Sequence, residues 1–159
     1  MDKFISKFLI LEYSVKIMIL IGILGLLPFT FGFVDLWINK DELIFKINLP
    51  KYYGAIILTF LGSKYWGIIL NLNAIKKISN ELKVGIIIWS ILPSIMAITV
   101  LIIQNSFSII ILALGFISCQ IVDELLNKKI SFPHWYIILR RILTLMVLII
   151  LICTFIIIK

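Results

Sequence analysis

Residues 52–73 read YYGAIILTFLGSKYWGIILNLN, a run that is apolar for most of its length and carries one cation, Lys64, near its middle. An α-helix needs roughly 20 such residues to cross the hydrocarbon core of a bilayer. An ammonium group at the centre of a span costs about 2.5–3.5 kcal/mol on insertion scales. The stretch therefore predicts a transmembrane helix, and it requires something that offsets the charge of Lys64.

The composition extends this prediction to the whole chain. Of the 159 residues, 62% are hydrophobic and 14% are charged, and the mean hydropathy is +1.18. Ordinary soluble domains are about 45–50% apolar and about 25% charged. We therefore expect one integral membrane domain, residues 1–159, surrounded by the lipid bilayer. The net charge of +7 comes largely from lysines between apolar runs, which is typical of contact with anionic headgroups and not of nucleic-acid binding.

Five apolar runs are long enough to span a bilayer. They cover about residues 15–33, 53–72, 84–103, 106–126 and 135–158. Each is apolar all round and much longer than the roughly 10-residue alternating strands of a membrane β-barrel. The predicted fold class is all-α: a polytopic membrane protein with five transmembrane helices in one compact bundle. Pro28 and Pro93 lie inside two of the runs and predict helix kinks, because proline removes a helix hydrogen bond.

The sequence leaves two alternatives for each of two connecting segments. Gln104 and Asn105 form the whole of a very tight predicted hairpin, while the longest loop, residues 34–51, fits either an extended segment or an interfacial helix. The first 14 residues fit either a short helix lying on the membrane or an extension of the first span. We read the first span as an uncleaved signal anchor.

The distribution of lysine and arginine predicts the orientation. Ten of these residues fall on the side that holds the N-terminus, and four, Lys40, Lys46, Lys51 and Lys159, fall on the other. The cation-rich side is expected to face the cytoplasm, which places the N-terminus inside and the C-terminus outside. The expected location is the bacterial inner (cytoplasmic) membrane, or the mitochondrial inner membrane in a eukaryote.

Asp123 and Arg140 form a candidate intramembrane polar pair, with Lys64 as a candidate auxiliary residue. Arg140 lies roughly 10 Å into the fifth run, and its guanidinium can hold a carboxylate with two hydrogen bonds. One interpretation is a buried structural pair. The other is a proton or ion relay, because ionisable groups inside membranes often mark such paths. A single carboxylate among several cations favours the structural interpretation.

Small residues recur at every fourth position of two runs, and they predict a helix-packing stripe. The stripe consists of Ala55, Thr59, Ser63 and Gly67 on the second run and Gly115 and Cys119 on the fourth. Small residues let helix backbones approach closely. Packing the two halves together would turn Lys64 towards Asp123.

Several stretches, taken in order, resemble one family: GLLPF, YYGAIILTFLGSKYWG, WSILPS, LGF followed by VDE, and FPHWYIILRRILTLMV. They resemble the transmembrane protein 69-like family, a membrane domain of unknown function found in bacteria and in an animal protein expected in mitochondria. The resemblance covers Gly25 to about Val147. The matching positions are Tyr53, Gly54, Phe60, Leu61, Gly62, Trp66, Pro93, Asp123, Trp135, Tyr136 and Arg140.

The chain departs from that family at Ser63, Lys64 and Tyr65, where members typically have a glycine, an apolar residue and a histidine. The resemblance therefore implies that Lys64 is peculiar to this chain and is not part of a family mechanism. It implies a fold and no reaction.

The sequence offers no catalytic residue, no metal ligands and no cofactor motif. The lone His134 has no histidine or cysteine near it, and no nucleophile has a base at readable spacing. We expect a non-enzymatic structural or accessory protein of the inner membrane, which packs against another membrane protein or against itself. The alternative is a small transporter or proton/ion-coupled carrier that uses Asp123 and Arg140.

Overall fold

A computed structural model describes residues 12–38, 43–75 and 79–158, and the predicted N-terminal interfacial helix lies outside them. The described residues form helices and no strand. The helices are α1 Tyr13–Leu24, α2 Leu27–Ile38, α3 Leu43–Ile75, α4 Asn80–Ile102, α5 Phe107–Ile130 and α6 His134–Ile158. Five stretches are long and apolar enough to cross a membrane, since α1 and most of α2 count as one span. The predicted all-α class with five spans in one compact bundle is confirmed.

The first span is interrupted just before Pro28. Helix α1 ends at Leu24, and the chain turns at Gly25 and Leu26 before α2 begins. Proline has no N–H for the carbonyl four residues earlier, and its ring crowds that carbonyl, which here belongs to Leu24. The N–H of Thr30 bonds the Leu26 carbonyl at 3.0 Å, and the helix resumes. In place of the predicted kink at Pro28, the helix is thus interrupted at Gly25 and Leu26, about one turn before the proline.

Two other prolines lie inside continuous helices. Helix α3 begins ten residues before the predicted span, so the described part of the uncertain loop is helical, and it continues through Pro50. A Cβ on Gly32 of α2 would lie 2.7 Å from the Pro50 ring, so this glycine gives the ring its place. Helix α4 continues through the buried Pro93.

Helix α3 is the centre of the bundle. It packs against α2, α4, α5 and α6. Two glycines set its distance from α5: a Cβ on Gly54 would lie 2.5 Å from the Leu112 side chain, and a Cβ on Gly115 would lie 2.5 Å from that of Leu58. Each leucine therefore fills a hollow on the opposite helix. Phe29 of α2 completes this core with an edge-to-face contact to Phe116 of α5, at 6.2 Å between ring centroids.

The predicted packing of one small-residue stripe against the other is wrong. On α5, Gly115 and Cys119 are buried, and so is Ala55 on α3, but Thr59, Ser63 and Gly67 are exposed on the outside of the bundle. The face of α3 that packs inward carries Gly54 and Leu58 instead. Inside lipid, close packing is a main source of helix association. A leucine seated against a glycine makes more dispersion contacts than two facing rows of small side chains.

Lys51 joins two helices at one end of the bundle. Its Nζ donates to the Ile103 carbonyl at 2.6 Å, and Ile103 caps the C-terminus of α4. A cation suits this position because the last carbonyls of a helix lack partners and carry partial negative charge. Lys51 is only 4% exposed, whereas the sequence placed it in a loop.

Gly62 provides a test of this packing. A Cβ there would lie 2.6 Å from the backbone carbonyl of Ser90 on α4, whereas Gly67 has open space around it. We expect Gly62→Ala to lower the free energy of unfolding by roughly 1–3 kcal/mol, because α3 and α4 must separate. Gly67→Ala is the matched control, and alanine there should be neutral or stabilising by roughly 0.5–1 kcal/mol. Thermal unfolding of both variants in detergent makes the measurement, and equal effects would contradict the α3–α4 contact.

Candidate functional site

Three helices bring charged side chains to one point inside the bundle. Asp123 lies on α5, Arg140 on α6 and Lys64 on α3. Residues 131–133 connect α5 to α6 in a short turn in which Ser131 adopts a left-handed conformation, with φ of 56°. Asp123 is seven residues before the end of α5 and Arg140 is six residues after the start of α6. At about 1.5 Å per residue, both lie roughly 10 Å from that turn, and so they face each other.

The Asp123 carboxylate is fully enclosed and fully engaged. Its Oδ1 accepts hydrogen bonds from Lys64 Nζ at 2.6 Å and from the Tyr65 hydroxyl at 2.9 Å. Its Oδ2 accepts from Lys64 Nζ at 2.5 Å and from Arg140 Nε at 3.0 Å. The residue is 0% exposed. A buried carboxylate is stable only when such partners replace the water that it has lost.

Lys64 is also saturated. Besides the two carboxylate oxygens, its ammonium donates to the Tyr136 hydroxyl at 2.9 Å, so all three of its N–H groups have acceptors. The same nitrogen lies 5.0 Å from the centroid of the Tyr65 ring and 5.6 Å from that of Tyr136, within the range of cation–π attraction. The Lys64 side chain turns inward, and the Asp123 carboxylate offsets its charge. We call Lys64, Tyr65, Asp123, Tyr136 and Arg140 the ion cluster.

A second ion pair lies beside the ion cluster and nearer to the surface. Arg141 donates to Glu124 through Nε at 2.6 Å and through Nη2 at 2.8 Å. Gln120 donates to the same carboxylate at 2.9 Å and accepts from Thr144. This pair joins the same two helices as Asp123 and Arg140. The Arg141 side chain is 59% exposed. Because solvent screens its charge, this pair contributes less to stability than the Asp123–Arg140 pair.

The ion cluster has one more cation than it has carboxylates. Arg140 is 7% exposed, and its Nη2 is buried without a hydrogen-bond partner. Burying an N–H donor without an acceptor is costly. Lys64 has acceptors for all three of its N–H groups, so the unpaired donor belongs to Arg140.

The sequence placed Asp123, Arg140 and Lys64 near one another, and the structure brings them into contact. Cys119 lies one turn before Asp123, and its backbone carbonyl is 3.4 Å from the Tyr65 hydroxyl. His134 is exposed at the start of α6. Among the described residues, no group of three or more histidine, cysteine, aspartate or glutamate side chains could hold a metal ion.

Sequence reasoning missed the two tyrosines and the Glu124–Arg141 pair. Tyr136 lies four residues before Arg140, so it shares a helix face with it. The doublets Asp123-Glu124 and Arg140-Arg141 lie at similar distances from the turn that joins α5 to α6. In two antiparallel helices, that spacing brings Asp123 to Arg140 and Glu124 to Arg141. The second pair could therefore have been predicted from the sequence.

Residues 14–156 match the model of a family described as protein of unknown function (DUF3429). The chain belongs to this family. The match covers the ion cluster and nearly all of the five candidate spans. No curated protein and no solved structure matches the chain. Membership in DUF3429 supports a membrane domain of unknown function, and it does not extend to the narrower transmembrane protein 69-like name that the sequence resemblance suggested.

Asp123 should be essential for the stability of the bundle. In Asp123→Asn, Lys64 and Arg140 lose their counter-ion while they stay buried, and we expect a loss of roughly 3–5 kcal/mol in the free energy of unfolding. Glu124→Gln, one residue away in the outer pair, is the matched control and should cost far less. Thermal unfolding in detergent gives both values.

A double variant separates charge balance from simple loss of contacts. Adding Lys64→Met to Asp123→Asn removes one of the two uncompensated cations, so part of the lost stability should return. A double variant that is less stable than Asp123→Asn alone would contradict the electrostatic account.

Proposed function

We propose that this DUF3429 protein is a non-enzymatic structural or accessory protein of its membrane, and that the ion cluster stabilises the bundle and does not conduct ions. The observation that carries the proposal is the saturated carboxylate of Asp123. A relay group must be able to release or take up a proton or an ion. Asp123 has four hydrogen bonds from three side chains, which occupy its lone pairs, so at least one of these bonds must break before it can take up a proton.

The outer surface also supports an accessory role. The exposed face of α3 carries the small residues Thr59, Ser63 and Gly67, and Gly67 has open space where a Cβ would be. Small residues on a lipid-facing helix allow another transmembrane helix to approach closely. The expected partner is another membrane protein or a second copy of this chain.

The carrier alternative depends on a polar route to Asp123. A groove of about 620 Å³ lies on the outside of α2 and the start of α3, and its lining is Leu27, Pro28, Thr30, Phe31, Val34 and Leu49. That lining is almost wholly apolar and includes no residue of the ion cluster. The groove thus gives no support to a carrier that works through Asp123 and Arg140.

Proteoliposomes test the choice between the two functions. We expect the wild-type protein to leave the proton and ion permeability of sealed vesicles unchanged. In mild detergent, we expect it to form a complex of fixed stoichiometry, either with a second copy of the chain or with another membrane protein. A flux that vanishes in a folded Asp123→Asn variant would overturn the accessory proposal and restore the carrier.

We further propose that the N-terminus is cytoplasmic and the C-terminus external, in the bacterial inner membrane or its mitochondrial counterpart, and that the narrower transmembrane protein 69-like name applies. The cation count across the two sides supports the orientation. An alkaline phosphatase fusion after Lys159 should be active in bacteria and a fluorescent-protein fusion there should be dark. A cysteine placed at Asn105 should react with a membrane-impermeant reagent from outside. The reverse pattern would contradict the orientation.

A further inference from the structure

Two hydrogen-bond donors on one face of α6 lack acceptors. Arg140 uses Nε for Asp123, while its Nη2 is buried without a partner. Tyr136 accepts from Lys64, and the described residues provide no acceptor for its own O–H. Residues four apart on a helix are neighbours on one face. Tyr136 and Arg140 thus share one face of α6, where each bonds a member of the Lys64–Asp123 pair.

The charge at this place is also unbalanced. Lys64 and Arg140 share the single carboxylate of Asp123, and the neighbouring Glu124 is already bound to Arg141 in two hydrogen bonds. Helix α6 has no acidic residue at all. Among the described residues, one positive charge therefore has no counter-ion, in surroundings that screen it poorly.

The ion cluster is partly open at Lys64 and Tyr136, whereas Arg140 Nη2 is covered, so a ligand reaches it only by displacing neighbouring side chains. The Lys64 side chain is 18% exposed, and Trp135 and Tyr136 are only half-buried. Exposed basic residues follow at the same end of the bundle, namely Lys128 and Lys129 in the last turn of α5 and Arg141 on α6. This end of the bundle therefore exposes several cations near the half-buried rings of Trp135 and Tyr136, and its Glu124 carboxylate is paired with Arg141.

We propose that Tyr136 and Arg140 form a binding site for an anionic phosphate group. A phosphate oxygen supplies the acceptors that the Tyr136 O–H and the Arg140 Nη2 lack, and its negative charge balances the extra cation. The headgroup of an anionic phospholipid is one source of this group, since basic pockets at the end of a helical bundle bind such headgroups. Free phosphate is the other. The site goes beyond the proposed accessory function, because a structural pair needs no ligand.

The test measures how much phosphatidylglycerol raises the unfolding temperature of the purified full-length protein, compared with the same amount of phosphatidylcholine. Arg140→Lys keeps the charge and a donor for Asp123 but deletes Nη2, and we expect it to weaken the apparent affinity for phosphatidylglycerol about tenfold. Arg141→Lys makes the same chemical change one residue away, in the outer pair, and should leave that affinity within about twofold. Any loss of stability in the absence of lipid is subtracted, so a merely structural effect of Arg140 does not register.

A second variant and a second ligand complete the design. Tyr136→Phe removes the other donor, and with it the acceptor of one Lys64 hydrogen bond, so its lipid-free loss of stability is subtracted in the same way. It should weaken phosphatidylglycerol binding as well, and it decides the matter if Arg140→Lys does not fold. Inorganic phosphate is tested as a competitor. Phosphatidylglycerol binding that inorganic phosphate does not displace supports the lipid source, and displacement with an Arg140-dependent shift of its own supports free phosphate. Equal effects of both lipids, or equal losses in Arg140→Lys and Arg141→Lys, would overturn the site.

Discussion

A carboxylate without water is the constraint around which this bundle is arranged. Asp123 is 0% exposed, so only the neighbouring helices can neutralise it. Its partners come from α3 and α6, while Asp123 itself is on α5, and one side chain therefore fixes three helices relative to one another. Sliding any of them by one turn, about 5.4 Å, would break hydrogen bonds that lipid cannot replace. The ion cluster therefore restricts the register of α3, α5 and α6 relative to one another.

The glycines make this arrangement geometrically possible. Gly54 receives Leu112 and Gly115 receives Leu58, so α3 and α5 approach closely about two turns from the ion cluster. A lysine spans a gap only as long as its four-carbon stem, and a larger separation would leave Lys64 short of Asp123. Steric fit and charge pairing thus depend on each other: the hollows set the distance, and the ion pairs select the register within it.

The features that could be predicted from the sequence are those that depend on the length of an apolar run or on the number of residues between two side chains. Run lengths gave the five spans, and the positions of Asp123 and Arg140 on either side of a short turn placed them together. The inward face of α3 was missed because small residues at one position in four look the same whether they face a neighbour or lipid. Whether Thr59 or Leu58 faces inward depends on the shape of the α5 surface, and the sequence of α3 carries no information about that surface. Lys51 was assigned to a loop because a lysine before an apolar run is typical of a span boundary, and its acceptor, the Ile103 carbonyl, belongs to another helix.

The charged layer lies at an edge of the apolar region and not at its centre. Helix α5 has no charged residue between Phe107 and Val122, and α6 has none between Ile142 and Ile158, lengths of roughly 24–26 Å at about 1.5 Å per residue. A hydrocarbon core is about 30 Å thick, so the uncharged segments span most of it and Asp123 and Arg140 lie near one boundary. Lys64 starts deeper on α3, but its ammonium ends at the level of Asp123. The free energy cost of a cation at the centre of a span therefore overstates the cost that this chain must offset. Lys64 lies near the middle of its span by residue number, but its ammonium group lies at the membrane boundary, where phosphate groups lie.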